Sequence, residues 1–247
     1  MARCFFSFPL LMFASTCRAF LLAPKLLSTL LAGRVHQEHS FIAPALVAEL
    51  RRDLTELAQA GRFTSAESFN SRGAKDALRS AVRCSPVLRG DPVGDTDAFW
   101  ALHAALDEVR VGLGQLLGRR HARGFEIAYV VYPSGGFYQR HMDSLAGVDP
   151  VGTGRRSVSF ICYLTEPGWQ RADGGALRVW EGSDSRNGGV TDGAKGPEHS
   201  TGYPENECRD LLPESGSVVL FDSKLVWHEV LPTKRERACV VGWFLWD

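Results

Sequence analysis

The character of the chain changes at Phe125, and that change limits what it can fold into more than any other feature. From there to the C-terminus, short β-branched and aromatic runs recur between Gly, Pro and Asp: Glu126–Tyr132, Tyr138–His141, Ser157–Leu164, Ala176–Trp180, Gly216–Phe221, Leu225–Leu231 and Arg237–Trp246. Runs this short, each followed by a turn signal, specify strands. Many short strands in series form a sandwich or a barrel.

Ahead of this region the periodicity is helical. Over Ala43–Gly61, Leu46, Val47, Leu50, Leu54 and Leu57 recur at steps of three and four, and Gly61 stands where a helix stops. A second helix is expected after Thr96 and as far as Leu117, with Trp100, Leu102, Leu106, Val109, Leu113 and Leu116 facing one core. Residues 62–94 read as irregular, with a short helix at Ala74–Val82. The expected class is mainly β with flanking helices (α+β): a helical support region over 34–124 and a β core over 125–247. Inside that core, the polar, Gly-rich stretch 182–210 has no periodicity and is expected to be a mobile loop.

Residues 1–33 read as a targeting leader. Arg3 precedes an apolar run, Cys4–Ala14, and small residues follow before Ala19. The run is too short, and too soon broken by Arg18 and Lys25, to predict a stable membrane span. A leader of this kind predicts entry to the secretory pathway or endoplasmic reticulum. The stretch Arg18–Pro24 also resembles plastid leaders, and a retained apolar segment on a cytoplasmic chain is the remaining alternative.

Charge and motifs narrow the chemistry. Lys plus Arg is 28 and Asp plus Glu is 28, so there is no net basic field and no nucleic-acid partner is expected. The cysteines show neither C-x-x-C nor zinc-like pairing. A serine nucleophile on a G-x-S-x-G elbow and a zinc hydrolase with H-E-x-x-H are both set aside, because neither motif occurs.

What remains is His141 and Asp143 in Tyr-Gln-Arg-His-Met-Asp, and His228 in Leu-Val-Trp-His-Glu-Val. Residues two apart in a strand share a face, so His141 and Asp143 can reach one metal with Met142 turned away. Val226, His228 and Val230 share a face in the same way. Two imidazoles and one carboxylate leave coordination positions open, which suits non-haem Fe(II) and oxygen chemistry. Arg237 heads the last strand on a face with Cys239, Val241 and Trp243. A guanidinium buried there requires an anion, and the carboxylate of a keto acid would serve. Tyr163, on a face with Ser159 and Ile161, is placed to give that carboxylate a second hydrogen bond. Tyr132 and Tyr138 flank the first ligand pair and are candidates for lining the pocket.

These pieces resemble, in order, the prolyl 4-hydroxylase branch of the Fe(II)/2-oxoglutarate dioxygenases, and most closely its hypoxia-inducible-factor type. Tyr132 to Asp143 resembles the segment bearing the first two metal ligands. Ile161-Cys-Tyr163-Leu resembles the strand whose tyrosine touches 2-oxoglutarate. Asp173-Gly-Gly-Ala-Leu177 resembles the glycine-pair strand entry, and His228-Glu-Val-Leu-Pro232 with Arg237 resembles the distal ligand and carboxylate clamp. The resemblance implies a double-stranded β-helix (jelly roll, cupin-like) packed on N-terminal helices. It implies His141, Asp143 and His228 as metal ligands, and Arg237, Tyr163 and Tyr132 around the co-substrate. It further implies Fe(II), 2-oxoglutarate and O2, L-ascorbate to keep the iron reduced, and a protein or peptide substrate hydroxylated at proline with release of succinate and CO2. The alternatives are the same chemistry on a small molecule or another side chain, and a jelly-roll binding module without turnover. The loop Ser144–Arg156, the long 182–210 stretch and Val241, where a hydroxyl-bearing residue is common, depart from the family pattern. They bear on the substrate more than on the chemistry.

Overall fold

The computed structural model describes residues 24–65, 82–84, 96–118, 122–144, 155–181 and 208–246. Among these residues eleven strands form two antiparallel sheets. The larger has the order β1 (His36–Glu38), β9 (Val218–Asp222), β6 (Arg155–Tyr163), β11 (Arg237–Trp246), β4 (Ala122–Tyr132), β3 (Val82–Cys84) and β2 (Thr64–Ser65). The smaller has the order β5 (Tyr138–His141), β10 (Trp227–Val230), β7 (Leu177–Trp180) and β8 (Cys208–Leu211). Among the described residues three α-helices accompany them: α1 (Pro24–Leu31), α2 (Pro44–Gln59) and α3 (Asp97–Leu116). This is the jelly roll on helices that the sequence led us to expect.

The large sheet is covered on both faces, which is why its central strands read as nearly continuous apolar runs. In β11 the alternation survives inside that run. Ala238, Val240, Phe244 and Trp246 enter a core shared with the helices, while Cys239 enters a second core with residues of the small sheet. That second core also takes Val130 and Tyr132 from β4, Ile161 and Tyr163 from β6, Leu177 and Val179 from β7, and Val226 and Val230 flanking His228. The candidate site borders this core.

The helices follow their local signals. Pro44 occupies the first turn of α2, where its missing N–H is no loss. The helix ends at Gly61, whose φ of 65° suits a residue without Cβ. Leu46, Val47, Leu50, Leu54 and Leu57 are all buried, as their spacing predicts, and so is Asp53. The Asp53 carboxylate accepts a 2.7 Å hydrogen bond from the Tyr129 hydroxyl of β4, which ties helix to sheet. Thr96 caps α3 by accepting from the Phe99 N–H at 3.1 Å.

Several expectations are corrected. Trp100 and Leu116 do not share the buried face of α3; they are 47% and 49% exposed. Trp100 projects opposite to Leu102, Leu106, Val109 and Leu113, and Leu116 is the last helical residue. The end of the expected loop 182–210 is a strand: Cys208 pairs with Trp180 and Leu211 with Leu177. Its sequence Cys-Arg-Asp-Leu hides this, because Arg209 and Asp210 are satisfied by Glu181 and Arg178 rather than alternating with apolar residues. The polar β1 was likewise unreadable. The rest of that loop (182–207), the segment 145–154, residues 74–81 of the expected short helix and residues 1–23 of the expected leader lie outside the described residues; Val82 begins β3.

Residues 24–33, placed with the leader on sequence grounds, are part of the packed structure. Leu26 and Leu30 of α1 are buried in the helix-side core at 0% and 3% exposure. Among the described residues no helix is long and apolar enough to cross a membrane. If α1 belongs to the folded unit, Leu26→Ala will destabilise the protein by about 2–5 kcal/mol in chemical denaturation. Leu31→Ala, at a position 65% exposed, will change stability by no more than about 0.5 kcal/mol.

Candidate metal centre and co-substrate pocket

The three proposed ligands are assembled by strand register. In the small sheet β10 lies between β5 and β7, and the pairing sets His228 directly opposite His141. Their rings stand with centroids 4.2 Å apart. Asp143 follows β5 after one intervening residue. The ligand atoms of His141, Asp143 and His228 all lie within 4.8 Å of one another. His141 Nε2 is 3.5 Å from Asp143 Oδ1, and His228 Nε2 is 3.7 Å from Asp143 Oδ2.

The other imidazole nitrogens are engaged. His141 Nδ1 donates to the Gln139 carbonyl at 2.8 Å, and His228 Nδ1 to the Val226 carbonyl at 3.3 Å. A carbonyl only accepts, so both rings carry a proton on Nδ1 and turn Nε2 toward the point where a metal would sit. Burial, reinforced by neighbouring His141, lowers the His228 pKa to about 4, so the ring stays neutral as a ligand must. Burial alone would raise the pKa of Asp143. His228, His141 and a hydrogen bond from Ser159 outweigh it and hold the carboxyl below the usual range. Tyr138 packs edge-on against His141 with centroids 4.3 Å apart, and Phe221 lies 4.7 Å from His228. Two imidazoles and an ionised carboxylate converging on one point fit Fe(II) with positions left open.

The second cluster sits on the large sheet. Register places Arg237 opposite Tyr132 and Cys239 opposite Tyr163. The Arg237 guanidinium, 1% exposed, lies 4.9 Å from the Tyr132 ring and 5.0 Å from the Tyr163 ring. Its Nε donates to the Gly175 carbonyl at 2.9 Å and its Nη1 to Cys239 Sγ at 3.4 Å. Nη2 and the Tyr163 hydroxyl are buried without a hydrogen-bond partner. Each such orphan costs on the order of 1–3 kcal/mol. Burial pushes the Tyr163 phenol up to about 12, which keeps it a neutral donor. One cation and two unused donors buried side by side are groups that a carboxylate would satisfy.

The glycine pair makes this approach possible. Gly174 and Gly175 have φ of 70° and 68°. A Cβ on Gly174 would stand 2.3 Å from the Pro232 carbonyl oxygen, and one on Gly175 3.1 Å from Arg237 Cδ. A side chain at Gly175 would meet both Thr233 Oγ1 at 3.0 Å and Arg237 Cδ, at a positive φ that favours glycine.

The seven residues singled out from the sequence therefore fall into two groups, His141, Asp143 and His228 with Tyr138 beside them in one, Arg237, Tyr163 and Tyr132 in the other. Sequence reasoning did not supply their partners: the Gln139 and Val226 carbonyls, Ser159, Cys239 and the Gly175 carbonyl. Backbone carbonyls leave no sequence signal. For Ser159 and Cys239 the shared strand face was the available clue, without any indication of what each would touch.

The family model of the 2OG-Fe(II) oxygenase superfamily matches residues 127–245. A Pseudomonas putida prolyl-4-hydroxylase is 30% identical, over 90% of this chain and 97% of that one, with a TM-score of 0.65. A Trichoplax adhaerens prolyl hydroxylase, solved with a hypoxia inducible factor oxygen degradation domain peptide fragment, is 21% identical over 95% of this chain and 92% of that one, with a TM-score of 0.68. The epimerase SnoN of nogalamycin biosynthesis, 12% identical over 92% of this chain and 81% of that one at a TM-score of 0.62, shares the fold. No curated protein matches the chain in sequence. The chain belongs to the 2OG-Fe(II) oxygenase superfamily, in its prolyl hydroxylase branch. It is an enzyme that uses Fe(II) and 2-oxoglutarate.

Replacing Gly175 with Ala tests the glycine argument. The substitution will cost more than about 1 kcal/mol of stability, because the residue sits at positive φ. It will also weaken 2-oxoglutarate binding in calorimetry, because Arg237 must shift away from the new methyl.

Proposed function

We propose that this enzyme hydroxylates peptidyl proline, consuming 2-oxoglutarate and O2 and releasing succinate and CO2. In this reading His141, Asp143 and His228 bind Fe(II) through Nε2, one carboxylate oxygen and Nε2. Arg237 and Tyr163 hold the distal carboxylate of 2-oxoglutarate, and Tyr132 walls the pocket against the guanidinium. The observation that carries it is the pair of orphaned donors, Arg237 Nη2 and the Tyr163 hydroxyl, buried in the core that also flanks His228. The peptidyl-proline assignment is supported by the Pseudomonas putida prolyl-4-hydroxylase, which this chain covers almost from end to end.

Bound Fe(II) supplies the O2 chemistry that amino-acid side chains lack, and L-ascorbate is the reductant that would keep it ferrous. The chain's own task is placement. The Nδ1–carbonyl bonds set the imidazole tautomers, Asp143 contributes the negative charge, and the apolar residues around His228 exclude water from it. Arg237, fixed at Nε and Nη1, meets an incoming carboxylate with Nη2 already oriented, so little ordering is left to be done on binding.

The test is succinate release by the full chain with Fe(II), 2-oxoglutarate and ascorbate, with and without a proline-rich peptide pool. Peptide-stimulated succinate, with a mass gain of one oxygen on proline, is the expected result. Succinate without stimulation by peptide would move the search to other substrates. Ala at His141, Asp143 or His228 will abolish turnover, and retained succinate in any of them would remove that residue from the ligand set. Arg237→Ala will raise the 2-oxoglutarate requirement by about 100-fold, equivalent to about 2.7 kcal/mol. Tyr163→Phe will raise it by about tenfold.

A further inference from the structure

A hydrogen-bond chain behind the metal site is not used by the reading above. Ser159, on β6 and 1% exposed, donates from Oγ to Asp143 Oδ2 at 2.6 Å. Behind it, Ser159 Oγ is 2.8 Å from the Oγ of Ser223, which is 0% exposed and immediately follows β9. A carboxylate that ligates a metal is ionised and only accepts hydrogen bonds. The single proton of Ser159 is therefore committed to Asp143, so the proton between the two serines belongs to Ser223. The chain has one direction, Ser223 to Ser159 to Asp143.

Ser223 also holds the backbone beyond the ligand. Its carbonyl accepts from the Ser144 N–H at 3.0 Å, and its own N–H donates to the Ser157 carbonyl at 3.0 Å. One residue thus fixes both the side chain of Asp143, through Ser159, and the peptide that follows it. Oδ1 accepts nothing from Ser159 and lies 3.5 Å from His141 Nε2, while Oδ2, held by Ser159, lies 3.7 Å from His228 Nε2; the restraint on Oδ2 makes Oδ1 the freer oxygen for the metal. A carboxylate with neither oxygen restrained can ligate through both and occupy a position that co-substrate or O2 needs.

We infer that Ser159 and Ser223 are positioning residues that hold Asp143 to ligation through one oxygen, and so set the number of open metal positions. This rests on the metal-site reading proposed above. Partners behind a ligand commonly change metal affinity by 10–100-fold when removed.

The test is Mn(II) titration of the full-length apoprotein, followed by the paramagnetic resonance signal of free Mn(II), with visible spectra of the Co(II) form as a second readout. Ser159→Ala is expected to weaken Mn(II) binding by about tenfold, with the apoprotein melting within about 4 °C of the wild type. Its Co(II) bands will be weaker, as expected when the coordination number rises. Ser223→Ala will have a smaller effect in the same direction, and Ser159→Thr, which keeps the hydroxyl, will bind like the wild type. Equal Mn(II) affinity and equal Co(II) spectra for wild type and Ser159→Ala would overturn the inference alone. So would a loss in Ser159→Thr as large as that in Ser159→Ala, because side-chain volume and not the hydroxyl would then matter. A wild type that binds no Mn(II) would overturn the metal-site reading and this inference together.

Discussion

The site depends on one piece of strand register. Because β10 pairs with β5 so that His228 stands opposite His141, two imidazoles from residues far apart in sequence point to the same place. A slip by one residue would turn His228 to the opposite face of its sheet and bring Trp227 or Glu229 inward. Val226 and Val230, buried on either side of His228, oppose that slip, since it would expose both. The apolar packing that stabilises the small sheet is therefore also what aligns the candidate metal ligands.

The second constraint is the buried guanidinium of Arg237. A charge this deep in an apolar core is tolerated because two of its faces are already met, by the Gly175 carbonyl and the Cys239 sulfur, and aromatic rings lie near it. The remaining face is left with Nη2 unpaired beside an unpaired phenol. That polar deficit is what a co-substrate carboxylate would remove in the proposed function. The candidate metal ligands and the Arg237–Tyr163 pair are thus held by opposite sheets of one sandwich, with the shared core between them.

Much of this was legible in the chain, for identifiable reasons. His141 and Asp143 sit two apart on a strand, Val226-Trp-His228-Glu-Val230 alternates, and Arg237 begins a run whose odd positions share a face; period-two facing places each side chain without knowledge of the partner strands. The helix positions Leu46 to Leu57 were readable from spacing alone. Other features were hidden. Strand β8 carries its polar residues in ion pairs rather than in alternation. Strand β1 is polar throughout. The burial of Leu26 and Leu30 could not be separated from the apolar character of a leader, because hydrophobicity is the same signal in both. Trp100 was misplaced because an apolar residue on a helix does not state which side the core lies on.

The sequence by itself determined the donor set, two histidines, a carboxylate and an arginine, together with the strand facing that turns each of them inward, because residue chemistry and the alternation of a strand are local properties. The tertiary structure alone decided that His228 meets His141, that Ser159 and Ser223 stand behind Asp143, and that Gly175 and Cys239 hold Arg237 while leaving Nη2 unused. Those are contacts between residues far apart in the chain, set by sheet order and register, and no local pattern records them.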